Sequence, residues 1–146
     1  MPQFARPDAD IVDGTWLNEA ASNVNLFASI DEVTVSDADF VESALAPVSA
    51  AMAVGTSNVE DPVSSTSHII RANVWKNAAG GAQIDITIQL RQGYASEGVQ
   101  GTLIATLTAA NVTGTAAAVS YTLSAAEADA ITNYNDLQFR VVANQV

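Results

Sequence analysis

The sequence predicts a single acidic all-β domain, an antiparallel β-sandwich or jelly roll with about eight short strands and one short helix near residues 124–131. Three observations carry that expectation. Apolar residues recur with a two-residue period in several short segments, Asp, Asn, Ser, Pro and Gly cluster between those segments, and no long stretch keeps a helical period.

The clearest strand is Gln83 to Arg91, where Ile84, Ile86, Ile88 and Leu90 line one face and Gln83, Asp85, Thr87, Gln89 and Arg91 the other. Before it, His68 to Asn77 alternates as well, with Ile69, Arg71, Asn73 and Trp75 on one side; Trp75 sharing a face with Ile69 points to core or interface packing. Between the two, Asn77-Ala78-Ala79-Gly80-Gly81 offers glycines for a tight turn, so an antiparallel hairpin is expected over 68–91. Further strands are expected at Gly101 to Thr108, Ala117 to Leu123 and Leu137 to Ala143, with shorter ones at Leu26 to Ile30, Asp39 to Ser43 and Ala51 to Thr56. Ser124-Ala125-Ala126-Glu127 is a capping box, from which one or two helical turns should run to about Ile131. Ala128 and Ile131 would then plug one open end of the sandwich. Residues 1–14 read as an extended N-terminal segment, either a loose arm or a sheet edge, and residues 15–146 as the sandwich domain.

Composition narrows the function. The chain of 146 residues is long enough for a sizeable core without staples, and it has no cysteine, which rules out disulfides, thiolate metal sites and a cysteine nucleophile and favours a reducing compartment. The first residues lack the apolar run of a cleaved export signal, and nowhere do eighteen apolar residues follow one another. A net charge of −11 opposes binding to nucleic acid or an anionic membrane. The charge is uneven: residues 1–61 hold eleven acids and only Arg6 as a base, while residues 62–146 hold five acids and four bases.

Constellations for chemistry are thin. His68 is the only histidine, with no nucleophile-elbow sequence and no second histidine for zinc. Asp8, Asp10 and Asp13, or Asp31, Glu32, Asp37 and Asp39, bring hard oxygen ligands into loops, yet none follows the EF-hand spacing, and aspartate at turns explains them equally well. Trp16 and Trp75, with Tyr94, Tyr121 and Tyr134, could form a sugar-stacking platform. Gly80-Gly81 is not followed by the Lys-Ser/Thr pair of a phosphate loop. No catalytic, cofactor-binding or metal-binding residue is therefore assigned, and the chain reads as a protein that binds or coats.

Four stretches together carry a resemblance: RPDADIVDGTW, LFASIDEVTVSDADFVES, HIIRANVWKNAAGGAQIDITIQLRQG and YTLSAAEADAITNYNDLQFRVVANQV. As a set they resemble the small β-sandwich virion structural proteins of tailed bacteriophages and prophages, over most of the chain. The resemblance implies a non-enzymatic structural virion component, whether a capsid decoration or cement protein, a head fibre or a part of the tail. The leading expectation is a decoration or cement protein that binds the major capsid protein, assembled in the host bacterial cytoplasm and placed on the capsid surface of the virion. Particle symmetry adds the expectation of a homo-oligomer, dimer or trimer, and the net charge that of no nucleic-acid or membrane partner. Phe4, Arg6, Trp16 and Trp75 are the candidate partner-binding residues. The alternatives are a head-fibre or tail module, or a glycan-binding β-sandwich.

Overall fold

In a computed structural model, which describes residues 3–77 and 81–146, the period-two segments become strands and the capping box starts a helix. The described residues form β1 (Pro7–Val12), β2 (Leu17–Asn18), a 3-10 turn (Leu26–Ser29), β3 (Val41–Glu42), β4 (Ala50–Thr56), β5 (Ile69–Val74), β6 (Ile84–Gln92), β7 (Thr102–Ala109), β8 (Ala117–Thr122), α1 (Ala125–Asp129) and β9 (Leu137–Gln145). The fold is all-β. One antiparallel sheet has the order β1-β4-β9-β6-β7, and two small sheets pair β2 with β3 and β5 with β8.

The last strand in the chain is the middle strand of the large sheet. Along β9, Phe139 lies between Val54 of β4 and Leu90 of β6, and Val141 between Met52 and Ile88. Because paired residues point to the same side of a sheet, these six side chains form one apolar face. That face is covered in two halves. Over β6 and β7, the β5–β8 pair and the segment around α1 bring Ile70, Leu123 and Ile131 onto Ile88, Leu90 and Leu107. Over β4, Trp16 and Leu26 pack with Met52, Val54 and Ala143, and Val41 joins at the edge. Ile86, Phe139 and Val141 touch both clusters and join them. The layering is that of a sandwich, with the second layer assembled from a strand pair, a helix of one turn and loops.

Several expectations are corrected here. The hairpin over 68–91 does not form: β5 pairs with β8, and β6 is hydrogen-bonded to β7 and β9. The reason is the unbroken aliphatic face of β6. Hydrogen-bonded neighbours turn their apolar faces the same way and cannot cover one another, whereas β5 in the opposite layer sets Ile70 against Ile88. The proposed turn at Asn77 to Gly81 includes Ala78, Ala79 and Gly80, which lie outside the described residues. On β5 the buried side is that of Ile70 and Ala72, while Ile69 is exposed, since Arg71 and Asn73 make the other face polar.

The segment Leu26 to Ile30 is a 3-10 turn instead of a strand. Asn25 enters with φ of 56°, and both oxygens of the Asp10 carboxylate accept backbone N–H groups, from Leu26 at 2.9 Å and Phe27 at 2.8 Å. Two consecutive amides aimed at one carboxylate require a turn, and this one drops Leu26 into the core. The stretch 39–43 contributes only the two residues of β3.

The helix follows its sequence signal. Ser124 Oγ accepts from the Glu127 amide, and the Glu127 carboxylate accepts from the Ser124 amide at 2.7 Å. Ala128 and Ile131 are buried beneath it, closing the β7 end of the core. Residues 7–12, expected as arm or edge, are the outer strand β1. Gly14, with φ of 59°, turns the chain from β1 towards Trp16; a Cβ there would overlap the Ala51 carbonyl oxygen.

Candidate interaction surface

Of the four residues singled out in the sequence, Phe4 and Arg6 come together. The Arg6 guanidinium sits 5.2 Å from the centre of the Phe4 ring and donates to the Glu32 carbonyl oxygen. The Arg6 amide donates to Ser57 Oγ at 3.1 Å and the Ser57 amide to the Arg6 carbonyl at 2.7 Å, which carries the β1–β4 pairing one step further. Gln3 exchanges two hydrogen bonds with the Glu60 backbone, at 3.0 and 2.8 Å. The segment before β1 is thus fastened to residues 57–60, with the Phe4 ring 57 % exposed.

The two tryptophans are placed elsewhere. Trp16 is only 4 % exposed and packs in the core over β4, so here its ring supports the fold and offers no surface. Trp75 follows β5, half-buried, with its ring edge-on to Phe40 at 5.8 Å and 72°.

A stronger surface feature is the loop before β4, read in the sequence only as a turn. Leu45 is 87 % and Val48 86 % exposed, on either side of the buried Pro47. Ala46 and Ser49 hold φ of 52° and 49°, a left-handed conformation that costs non-glycine residues energy and that projects the two aliphatic side chains outward. The loop borders a recess of about 440 Å³ whose far side is Glu97 and Arg140. The run Ala44-Leu45-Ala46-Pro47-Val48, apolar where a turn should be polar, was the signal that could have found it.

The far wall is an ionic cluster on the second face of the sheet. Arg140 grips both oxygens of Glu97, at 2.8 and 2.7 Å, and Tyr94 Oη donates to Glu97 at 2.7 Å. The Tyr94 amide in turn donates to Gln138 Oε1 at 2.9 Å, which fastens the loop after β6 onto β9. Arg140 holds the Glu97 carboxyl below its usual range, and Tyr94 adds to that effect. Burial, reinforced by the bond to Glu97, pushes the Tyr94 hydroxyl up to about 12.

Both shifts predict pH dependence. A carboxyl lowered in the folded state adds stability above its unfolded value, about 4.3 for glutamate, and that stability disappears as pH falls through the folded value. A phenol raised in the folded state adds stability below its unfolded value near 10, lost as pH rises through about 12. Urea titrations of the wild type and Glu97→Gln should therefore differ at neutral pH, the variant being weaker, and converge in acid. A constant difference from neutral to strongly acidic pH would contradict the role of the Glu97 charge.

At the other end of the sheet a polar cleft of about 590 Å³ is lined by Gln3, Glu60, Asp61, Asn133, Tyr134 and their neighbours. His68 Nε2 lies 2.8 Å from Tyr134 Oη, so the single histidine reaches a phenol and not a serine. Burial, with Asp61 and Asp129 nearby, raises the Tyr134 hydroxyl. The acids that suggested metal binding are dispersed. Asp10 holds the 3-10 turn and Asp37 accepts from Asn73. Among the described residues no group of three His, Asp or Glu side chains could hold a metal ion.

No family model matches this chain, and neither a curated protein nor a solved structure does.

Proposed function

We propose that this chain is a non-enzymatic virion structural protein of a tailed bacteriophage or prophage, a capsid decoration or cement protein that binds the major capsid protein on the outer shell as a homo-oligomer. The observation that carries the reading is the strained loop 44–49, which keeps Leu45 and Val48 in solvent beside an open recess. Backbone strain that exposes apolar side chains lowers the stability of the isolated chain and is compensated where a partner covers them. The stretches that resemble small virion proteins point the same way.

Decoration needs little from each copy. A subunit that binds only the assembled shell stabilises it by mass action, and repeated contacts on a symmetric lattice make modest affinity sufficient. The Leu45–Val48 loop is the apolar anchor in this reading, and the acidic residues 1–61 face solvent or a basic patch. A glycan-binding role fits less well. Trp16 is buried, and the hydroxyls of Tyr94, Tyr121 and Tyr134 are engaged by Glu97, Glu127 and His68.

Particles assembled with and without this chain provide the test. Those lacking it should release their contents at a lower temperature, and adding back the Leu45→Asp/Val48→Asp variant should fail to restore the difference. Equal thermal release with and without the chain would sink the proposal. Copy number separates the alternatives, because hundreds per particle indicate decoration and a handful a fibre or tail module.

A further inference from the structure

The two edges of the large sheet are built in opposite ways. β1 is guarded: it contains Pro7, Asp8 and Asp10, and its pairing with β4 is interrupted by two register shifts. Proline, charge and bulges are the devices that keep a sheet edge from pairing with another chain. β7, at the other edge, has none of the first two. Its sequence Thr-Leu-Ile-Ala-Thr-Leu-Thr-Ala carries no charge and no proline over eight residues. Its single irregularity lies near its start, opposite Leu90 and Arg91, leaving Ala105 to Ala109 in regular register with β6. Among the described residues nothing is hydrogen-bonded to the outer side of β7. Thr102 and Thr108 are exposed there, and so is Leu103.

We infer that β7 is a dimerisation edge, pairing antiparallel with β7 of a second copy about a two-fold axis so that the two five-stranded sheets become one. Identical strands related in this way satisfy each other, because every outward N–H of one meets an outward C=O of the other. Charge selects this edge. In a chain of net charge −11, pairing β1 with β1 would set aspartates close together, whereas β7 brings no charge to the contact. Threonine and aliphatic residues also suit cross-strand packing on both sheet faces. The inference specifies the homo-oligomer of the proposed function, but its test involves no shell, so the two can fail separately.

The experiment is sedimentation of the full chain over a concentration series, with Thr108→Asp and, as a control, Ser120→Asp, exposed on β8. The wild type should sediment at twice 15.1 kDa at high concentration and dissociate on dilution. Thr108→Asp should weaken the dimer at least about tenfold, and Ser120→Asp should leave it unchanged. Hydrogen exchange on the wild-type dimer guards against a variant that misfolds: the outward amides of Ala105 to Ala109 should be protected in the dimer and exposed on dilution. A wild type that stays monomeric, a dimer indifferent to Thr108→Asp, or outward β7 amides that exchange freely in the dimer would each overturn the inference.

Discussion

Val141→Pro should leave the chain without a cooperative fold. Val141 stands at the middle of β9, paired on one side with Met52 and on the other with Ile88, and its side chain reaches both core clusters. Proline there removes a ladder hydrogen bond and drives its ring against a neighbouring strand, and such a residue is essentially confined to sheet edges in folded proteins. β9 has a strand on each side, so the damage cannot be shed by fraying: without it β4 and β6 lose their common partner, and the sheet separates into β1–β4 and β6–β7. The loss is of the order of the roughly 5–15 kcal/mol that holds a domain of this size together. Far-UV circular dichroism should show the native β signal gone and urea titration no sigmoid, while Val141→Ile keeps both. A cooperative transition near the wild-type midpoint would disprove the central role given to β9.

The second large effect is expected at Leu26→Ala. Leu26 is fully buried, at 0 % exposure, and packs with Trp16, Met52 and Val54 under the 3-10 turn. Truncation removes three carbons from a site whose walls are an indole ring and strand residues that cannot collapse inward. The cost belongs in the range of about 2–5 kcal/mol measured for such leucines. At roughly 4 °C per kcal/mol the melting temperature should fall by about 8–20 °C. Leu45→Ala supplies the contrast, since that side chain is almost wholly in solvent and its loss should change stability by less than about 0.5 kcal/mol. Thermal melts of the two variants side by side make the comparison; similar shifts would mean that burial has been assigned to the wrong leucine.

Leu26 also shows where sequence reading ends. Its segment, Leu26 to Ile30, has the apolar content of a strand, and nothing local reveals that Asp10, sixteen residues earlier, captures the amides of Leu26 and Phe27. The same holds for the hairpin expected over 68–91. Each strand was visible from its own alternation, but their pairing depended on what had to cover Ile86, Ile88 and Leu90, and β5 does that only by leaving their sheet. Between arm and edge the sequence left residues 1–14 open, because proline and aspartate mark loops and are also how an edge strand is protected.

The candidate surface was legible in part. Phe4 and Arg6, two residues apart in the chain, do lie together, because so short a separation makes contact easy. Trp16 was not separable from Trp75 by composition. The difference arose from residues as far apart as Leu26, Met52 and Ala143 closing around one ring and not the other. The apolar run of loop 44–49 is visible in the sequence, but positive φ at Ala46 and Ser49, which decides where Leu45 and Val48 point, has no marker in residue type.

By itself the sequence determined what depends on near neighbours along the chain: the alternation that makes β4, β6, β7, β8 and β9, the Ser124–Glu127 cap of α1, and an acidic charge concentrated before residue 62. Only the tertiary structure decided which strands share hydrogen bonds, that the last strand is the central one, and which edge and loop stay uncovered. A two-residue period is set by the geometry of one strand, whereas partner and cover are chosen by apolar faces that meet across long stretches of chain, and among the described residues no strand pairs with the outer edge of β7.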